Sequence, residues 1–489
     1  MPRPESIMAQ QVASEKNLCP ERFWLIVTIY TIGLFLLTSI LSLIRHGIFK
    51  SSSHDLGIFN QALWQISNGF EPVSSFIGHH ILSDHASLWL YVLAIPYSLY
   101  KNPETLLLLQ ALAVGAANIP LALICKKKNL SGIQVSAVLL AYCLYPAVLN
   151  ISLFDFHPDL LSLPFFFLLF LAHEERKLPI FIISAVAIAA TKAVMSLSVA
   201  AYGLAILMFE KDRRYGQIAL GIGAGWYIFA TRWIIPEFSN GGFTIARHLG
   251  RFQGLGNSFG QIASNLLFRP YLFFSRIFSN RSLTFLVNLF IPVAYVFFAK
   301  QKRIAFYAIA IAPTVFIILL SSSKAYVSLS RMYMLPLIPY LMMAVVHYFE
   351  YHNAKKSGRH LVLIASICLS IIGFIKFTDA DKVINRLSLS DASRIQSIHR
   401  AIRMTPKDAN VYTSDKIAAH MSGRNFIRSI DDKNLDEISR FDYILLDKKV
   451  PGWRNSKDGN KRISLSAESE KCEELLHTDS IRLFQCPRP

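Results

Sequence analysis

The chain has 489 residues, of which 53% are hydrophobic and 17% are Asp, Glu, Lys or Arg, with a formal net charge of +18. A soluble domain carries about 25% charged residues, so the composition argues against a soluble enzyme. The basic balance does not mark a nucleic-acid binder either: the Lys and Arg residues sit mostly in short links between apolar runs, where they set membrane orientation, and there is no zinc finger, RNA-binding aromatic motif or basic helix.

Residues 1–22 are polar and hold no apolar core ending in a small-residue cleavage site, so the first span, 23–44, is expected to stay as an anchor behind a cytoplasmic 1–22 tail. A polar segment follows over 45–83. Apolar runs then occupy 86–100, 104–125, 133–153, 160–172, 178–190, 193–209 and 216–235, a second polar segment covers 236–281, and further runs lie at 282–299, 304–320, 332–349 and 361–377. The basic links at 126–128, 176–177, 211–214, 300–303 and 355–359 are expected to be cytoplasmic. That places 45–83, the turn at 155–159, 236–281 and everything beyond 378 outside. These assignments agree only if one run before 126 does not cross. The run 86–100 is short and contains Pro96, and reads as a re-entrant or half-depth helix. The expectation is a mainly α, polytopic bundle over 23–377 with about eleven crossings, multi-pass in the inner (plasma) membrane.

From 378 to 489 the composition becomes that of a soluble domain. Strand-like runs at 410–414, 441–447 and 481–486 and a helical period over 415–422 predict a small extracytoplasmic α/β domain without a glycine-rich phosphate loop. Of the six cysteines none forms a CxxC pair, and only Cys472 and Cys486 share this tail. In an oxidising compartment they can pair; free thiols are the alternative.

Three polar clusters carry candidate chemistry. In the first outside loop, Leu56, Phe59, Leu63 and Ile66 recur at helical spacing and predict a helix lying on the membrane surface. Asp55 stands just before that face, as a helix N-cap, as a general base at the membrane boundary, or as both. Next come His79, His80, Asp84 and His85. His80, Asp84 and His85 have the donor types of a divalent-metal site, and an ordinary hydrated rim has the same residues. The third cluster is Asp155, His157 and Asp159 around Pro158. It reads as a capped polar turn, or as a site binding a metal or a sugar through its hydroxyls. Cations also occur on the expected outer side: Arg247, His248 and Arg251 in the second loop, and Lys324 and Arg331 flanking the turn 321–331. Arg is suited to phosphate, and anionic lipid headgroups would account for these residues too. Lys192, between two apolar runs, requires a partner at depth.

The ordered phrases HDLGIFNQALWQISNG, GHHILSDHASLWLYVLAIPYSLY, NPETLLLLQALAVGAANIPLAL and YPAVLNISLFDFHPD, with the tail phrases ANVYTSDKIAAHMSGR and FDYILLDKK, resemble a family of bacterial and archaeal multi-pass membrane proteins of unknown function, related to the GT-C glycosyltransferases. The resemblance covers most of the chain. It implies transfer of a sugar from a polyprenyl-phosphate donor on the outer side of the membrane, to an acceptor it does not name. Asp55 falls where GT-C enzymes place the carboxylate of the first outside loop, and Asp155 or Asp159 where they place a second acidic site. The resemblance therefore makes Asp55 and Asp155 the catalytic pair, with His54, His157, Asp159, Arg247, Arg251, Lys324 and Arg331 toward substrate. Two departures stand out: His54-Asp55 replaces the usual Asp-x-Asp or Glu-x-Asp, and the acidic turn carries His157. They leave dependence on a divalent metal open. Two other readings are a lipid or solute transporter or flippase, for which no pair of related halves is seen, and a non-catalytic scaffold, which predicts that Asp55, Asp155 and His157 are all replaceable.

Overall fold

The structure, a computed structural model, describes residues 19–239, 245–355, 359–378, 392–432, 435–452 and 454–487. The first helix, Pro20–Gly47, starts with proline in its first turn and ends with Arg45 and His46, which suit the two ends of the helix dipole. One side of it is buried through Phe23, Val27 and Leu34, while Leu25, Ile29 and Ile32 are exposed. An exposed apolar flank on a 28-residue helix is tolerable only against lipid.

Among the described residues six helices are long and apolar enough to cross a membrane: Pro20–Gly47, Pro103–Lys127, Arg213–Glu237, Asn280–Phe298, Lys302–Leu320 and Met332–Asn353. The pair Gly132–Cys143 and Pro146–Ser152, bent by 46°, makes a seventh if it is one span. Leu178–Ala189, Met195–Phe209 and Leu363–Phe377 are apolar but shorter. The eleven runs expected to cross are thus not eleven full-length helices. Hydropathy counts apolar residues, and it does not register that Pro146 breaks 133–153 or that the chain turns at 190–194. In the run 86–100 the helix is only Trp89–Tyr97, nine residues. At 1.5 Å per residue that is about 14 Å, half of a ~30 Å hydrocarbon core. Met195–Phe209 and Arg213–Phe229 pack backbone to backbone, because a Cβ on Gly203 would strike Leu220 and one on Gly223 would strike Ala200.

The first helix also measures the bundle. Near its start Lys126 lies 4.9 Å from the Phe23 ring, and at its end Arg45 meets Asp155 at 2.7 Å. The 22 steps between Phe23 and Arg45 span about 33 Å. Around the Lys126 end four of the basic links meet in ion pairs, Lys128 with Glu174 at 2.9 Å, Arg303 with Glu210 at 2.9 Å, and Arg176 with Asp212, while the side chains of 355–359 lie outside the described residues.

The tail carries a five-stranded sheet in the order β4-β3-β5-β7-β6, where β3 is Val411–Thr413, β4 Ile427–Ser429, β5 Tyr443–Asp447, β6 Glu473–His477 and β7 Ile481–Gln485. β3 runs parallel to β4 and β5, and β7 is antiparallel to β5 and β6. Cys472 and Cys486 are joined by a disulfide. The sheet docks on the first loop, where the hairpin strands β1 Val73–Ser74 and β2 His79–His80 lie. Ser75 bonds both the carbonyl (2.7 Å) and the N–H (3.1 Å) of Ile427 on edge strand β4, which closes an edge that would otherwise present unpaired backbone groups.

This docking changes one expectation. The predicted surface helix is present as Ile58–Ser67, with Leu56, Phe59 and Leu63 buried and Ile66 partly so. Its polar side is buried as well, under the tail: Asn60 donates to Ser422 at 2.8 Å, and Gln61 to the carbonyl of Arg424 at 3.1 Å. The polar stripe reads on paper as a solvent face; here it is an interface with a domain some 360 residues further along the chain.

Candidate active site

Three segments meet at the Arg45 end of the bundle: the loop after the first helix, the turn 154–159, and the carboxyl end of strand β3. Each is there for a local reason. The chain leaves the first helix at Phe49, which has a left-handed φ of 57°, and re-enters helix as a π-type turn over Ser53–Gly57 leading into Ile58–Ser67. Pro158 ends the extended backbone of the turn and starts a short 3-10 segment. Gln110 pins that turn by donating to the carbonyls of Ser152 (3.1 Å) and Asp155 (3.2 Å) and accepting from the N–H of His157 (2.8 Å).

Asp55 and His157 come together, with His157 Nε2 3.3 Å from Asp55 Oδ1. A bond to an ionised carboxylate requires the proton on Nε2. The Asp55 side chain keeps 24% of its surface exposed, while that of His157 keeps 3%. Burial pushes the Asp55 carboxyl up, but the bond to His157, with the nearby charges of His157, Arg331 and His54, outweighs it and holds the group below its ordinary value. Asp155 differs. Its Oδ1 accepts from Arg45 Nη1 at 2.7 Å, and its Oδ2 from the N–H of Ser52 at 3.0 Å. Burial raises its carboxyl despite Arg45, and Asp55 adds to the rise. Asp159 finds Lys192 Nζ at 3.4 Å, which supplies the partner that Lys192 requires.

These groups line a cavity of about 1160 Å³. Its polar wall contains Arg45, His54, Asp55, Asp155, His157 and Asp159. Arg251 and Arg331 line it too: Arg331 sits 4.0 Å from the Phe154 ring centre, and Arg251 hydrogen-bonds Tyr326 and lies over the Tyr326 and Tyr333 rings. Between bundle helices the wall becomes apolar, with Tyr227, Ile235, Pro313 and Ile317. Lys324 is exposed and is not part of this lining. The side chain of Arg247 lies outside the described residues.

His80, Asp84 and His85 do not converge. His80 caps the helix Ile81–His85 by accepting from the N–H of Leu82 at 3.1 Å and stacks on Phe238, while Asp84 and His85 pair at 3.1 Å. Among the described residues no three His, Cys, Asp or Glu side chains are grouped to hold a metal.

Sequence reasoning missed four cavity residues or supports. Arg45 was read only as the start of a polar segment, Gln110 sits mid-helix, and Asp415 with Lys416 comes from the tail. Asp415 follows β3 directly, at the carboxyl end of two parallel strand pairs. Open α/β sheets place their sites at such ends, so that signal was present.

A helical membrane bundle with a large, amphipathic cavity under a docked α/β domain is the class that this fold and site define. Residues 45–472 match the family described as "Predicted membrane protein (DUF2079)", and the chain belongs to that family. No curated protein matches the sequence. Among solved structures the chain is similar to ArnT from Cupriavidus metallidurans bound to undecaprenyl phosphate, at TM-score 0.57 and 10% identity over 93% of this chain and 97% of that one. It is also similar to the apo state of the same protein, at TM-score 0.52 and 10% identity over 93% and 98%. At that identity the likeness concerns the fold.

Proposed function

We propose that the protein is an inverting membrane glycosyltransferase that moves a sugar from a polyprenyl-phosphate donor to an acceptor at the extracytoplasmic face. The observation that carries this reading is the placement of Asp55: a partly exposed carboxylate 3.3 Å from His157, in a cavity whose lining also holds Arg251, Arg331 and apolar side chains of the bundle helices. Such a cavity suits a ligand with a phosphate, a polar group to react and a hydrocarbon chain. The likeness of fold to ArnT, which was solved bound to undecaprenyl phosphate, supports the same ligand class.

In this reaction the acceptor oxygen attacks the anomeric carbon while Asp55 takes its proton. The bond from that carbon to the phosphate oxygen breaks, and polyprenyl phosphate leaves with the electron pair. Arg331 and Arg251 stabilise the charge gathering on it. A single displacement inverts the configuration. Asp155, expected as a second catalytic carboxylate, has both oxygens occupied, and we assign it to holding Ser52 and Arg45 in place. No step is assigned to a metal.

The first helix supports this sidedness. Its Lys126 end gathers four of the basic links, which the positive-inside rule places in the cytoplasm, so the cavity, about 33 Å away, faces outside. The Cys472–Cys486 bridge supports an oxidising location for the tail.

The test is Asp55→Asn in purified protein supplied with undecaprenyl-phosphate sugars, following release of undecaprenyl phosphate. The variant is expected to insert normally and to lose at least about a hundredfold in rate. Full activity in the variant would remove Asp55 from the reaction. Movement of intact lipid-linked sugar across vesicles, without release, would favour the transporter reading instead.

A further inference from the structure

The proposed base sits in a short stretch that neither neighbouring helix fully controls. The π-type turn Ser53–Gly57 begins there, and the first N–H groups of a helix lack intrahelical partners. Two carboxylates from distant parts of the chain take up this stretch. Asp155 Oδ2 accepts the N–H of Ser52 at 3.0 Å. Asp415 Oδ1 accepts the N–H of Ser53 at 3.0 Å, the Ser53 hydroxyl at 2.6 Å and the Ser52 hydroxyl at 3.1 Å, with His54 Nδ1 3.8 Å away. Asp415 acts as an N-terminal cap supplied by another domain.

Among the described residues nothing comparable ties that carboxylate to its own domain. Asp415 opens the short helix Asp415–Ala418, whose N-cap is Ser414. Among the described residues the side-chain hydrogen bonds to Asp415 come from 52 and 53, and the neighbour on its own side is Lys416, at 3.4 Å from Oδ2. The backbone of its own domain nonetheless passes close behind Asp415 only because residue 452 is glycine. Gly452 has a φ of +119°, and a Cβ there would lie 2.6 Å from the Asp415 Cβ. A side chain at 452 would therefore displace Asp415.

We propose that Asp415 is a positioning residue for Asp55, so that the docked C-terminal domain completes the catalytic loop rather than only covering the cavity. This rests on the reading of Asp55 as the reacting carboxylate, but the arrangement of the loop is measurable without turnover. Asp415 holds 52–54, and Asp55 follows with its carboxylate directed at His157. Loss of the clamp leaves Asp55 chemically intact and misplaced.

Hydrogen–deuterium exchange of the full chain in lipid nanodiscs tests this with wild type, Asp415→Ala, Asp415→Asn and Gly452→Ala. Amides 52–57 are expected to exchange about tenfold faster or more in Asp415→Ala, the least expected from losing one hydrogen bond to a charged group. A smaller rise is expected in Asp415→Asn, which keeps a neutral acceptor, and a rise also in Gly452→Ala, which keeps the charge but displaces it. Strands β3, β5 and β7 are expected to stay protected in all four. In the release assay Asp415→Asn is expected to lower kcat with KM for the donor unchanged. Unchanged loop exchange in Asp415→Ala, or loss of protection in the sheet together with the loop, or a rise in KM alone, would each overturn the proposal. If wild type releases no polyprenyl phosphate, the glycosyltransferase reading fails while the exchange result still decides the role of Asp415.

Discussion

Replacing Arg45 with Met offers a severe check on how the acidic turn is held. Arg45 is 16% exposed and Asp155 fully enclosed, at 2.7 Å, and Arg45 Nη2 also donates to the Lys50 carbonyl at 3.0 Å. At an effective dielectric of about 20 the direct attraction at this separation is about 6 kcal/mol, most of which offsets desolvation. Removing one partner of a buried pair strands the other and typically costs about 3–5 kcal/mol, whereas removing both is often nearly neutral. We therefore expect Arg45→Met and Asp155→Asn each to lower resistance to SDS unfolding in mixed micelles by a few kcal/mol, and the double variant to cost no more than either. The coupling is expected at about 2–3 kcal/mol, the upper part of the range for contacting residues. Additive losses, with coupling below about 0.5 kcal/mol, would refute the claim that Asp155 is held by Arg45.

Further outcomes follow from the same geometry. Arg331→Gln is expected to weaken donor use by about 10–150-fold, the range for one hydrogen bond to a charged group of about 1.5–3 kcal/mol, measured as kcat/KM for undecaprenyl phosphate release; Lys324→Gln, outside the cavity lining, is expected to leave it unchanged. Asp415 is held below the ordinary carboxylate range: burial opposes this, but His54, Lys416 and Ser53 outweigh it. Its contribution to docking is thus present above its unfolded value of about 3.9 and lost as pH falls through the depressed value, so loop protection is expected to be constant from pH 7 to 5. Asp55 is likewise depressed, so protonation of the base is not expected to limit transfer over that interval. A loss of rate centred between pH 5 and 7 that Asp55→Glu displaces would contradict this. Alkylation of intact spheroplasts with a membrane-impermeant maleimide is expected to leave Cys472 and Cys486 unlabelled until a reductant is added; labelling only after the membrane is opened would place the tail inside.

Asp55 and His157 were legible in the sequence because each lies in a polar cluster at the end of an apolar run, where a charge is expensive without a purpose. That they touch was not legible, since the contact joins a loop to a turn 102 positions later and depends on Gln110 setting the turn. Asp155 looked like an equal of Asp55 on residue type alone. Only the positions of Arg45 and the Ser52 N–H separate their roles. Arg251, Arg331 and Lys324 were equivalent as outer cations, but sequence carries no direction for a side chain in a turn, and Lys324 is exposed outside the cavity lining. The short strand-like runs at 410–414, 441–447 and 481–486 located the inner strands β3, β5 and β7, of which β3 and β5 are buried on every residue. The short edge strand β4 and the polar strand β6, with a largely exposed Glu-Glu-Leu-Leu-His, gave no such pattern. The docking of the tail on Ile58–Ser67 was invisible, because an interface made of Asn, Gln and Ser reads as a hydrated face.

On the proposed reading Arg251 and Arg331 hold one donor phosphate in the cavity under the C-terminal domain, with Asp55 placed to take the proton of the acceptor. A cryo-electron microscopy structure of the protein with undecaprenyl phosphate in nanodiscs tests it most directly. The account predicts the phosphate within ion-pair distance of Arg331 or Arg251, with its hydrocarbon chain running along Ile235 and Ile317. A phosphate bound at the Lys128–Arg303 end of the bundle, or outside the cavity on the lipid-facing surface, would contradict it.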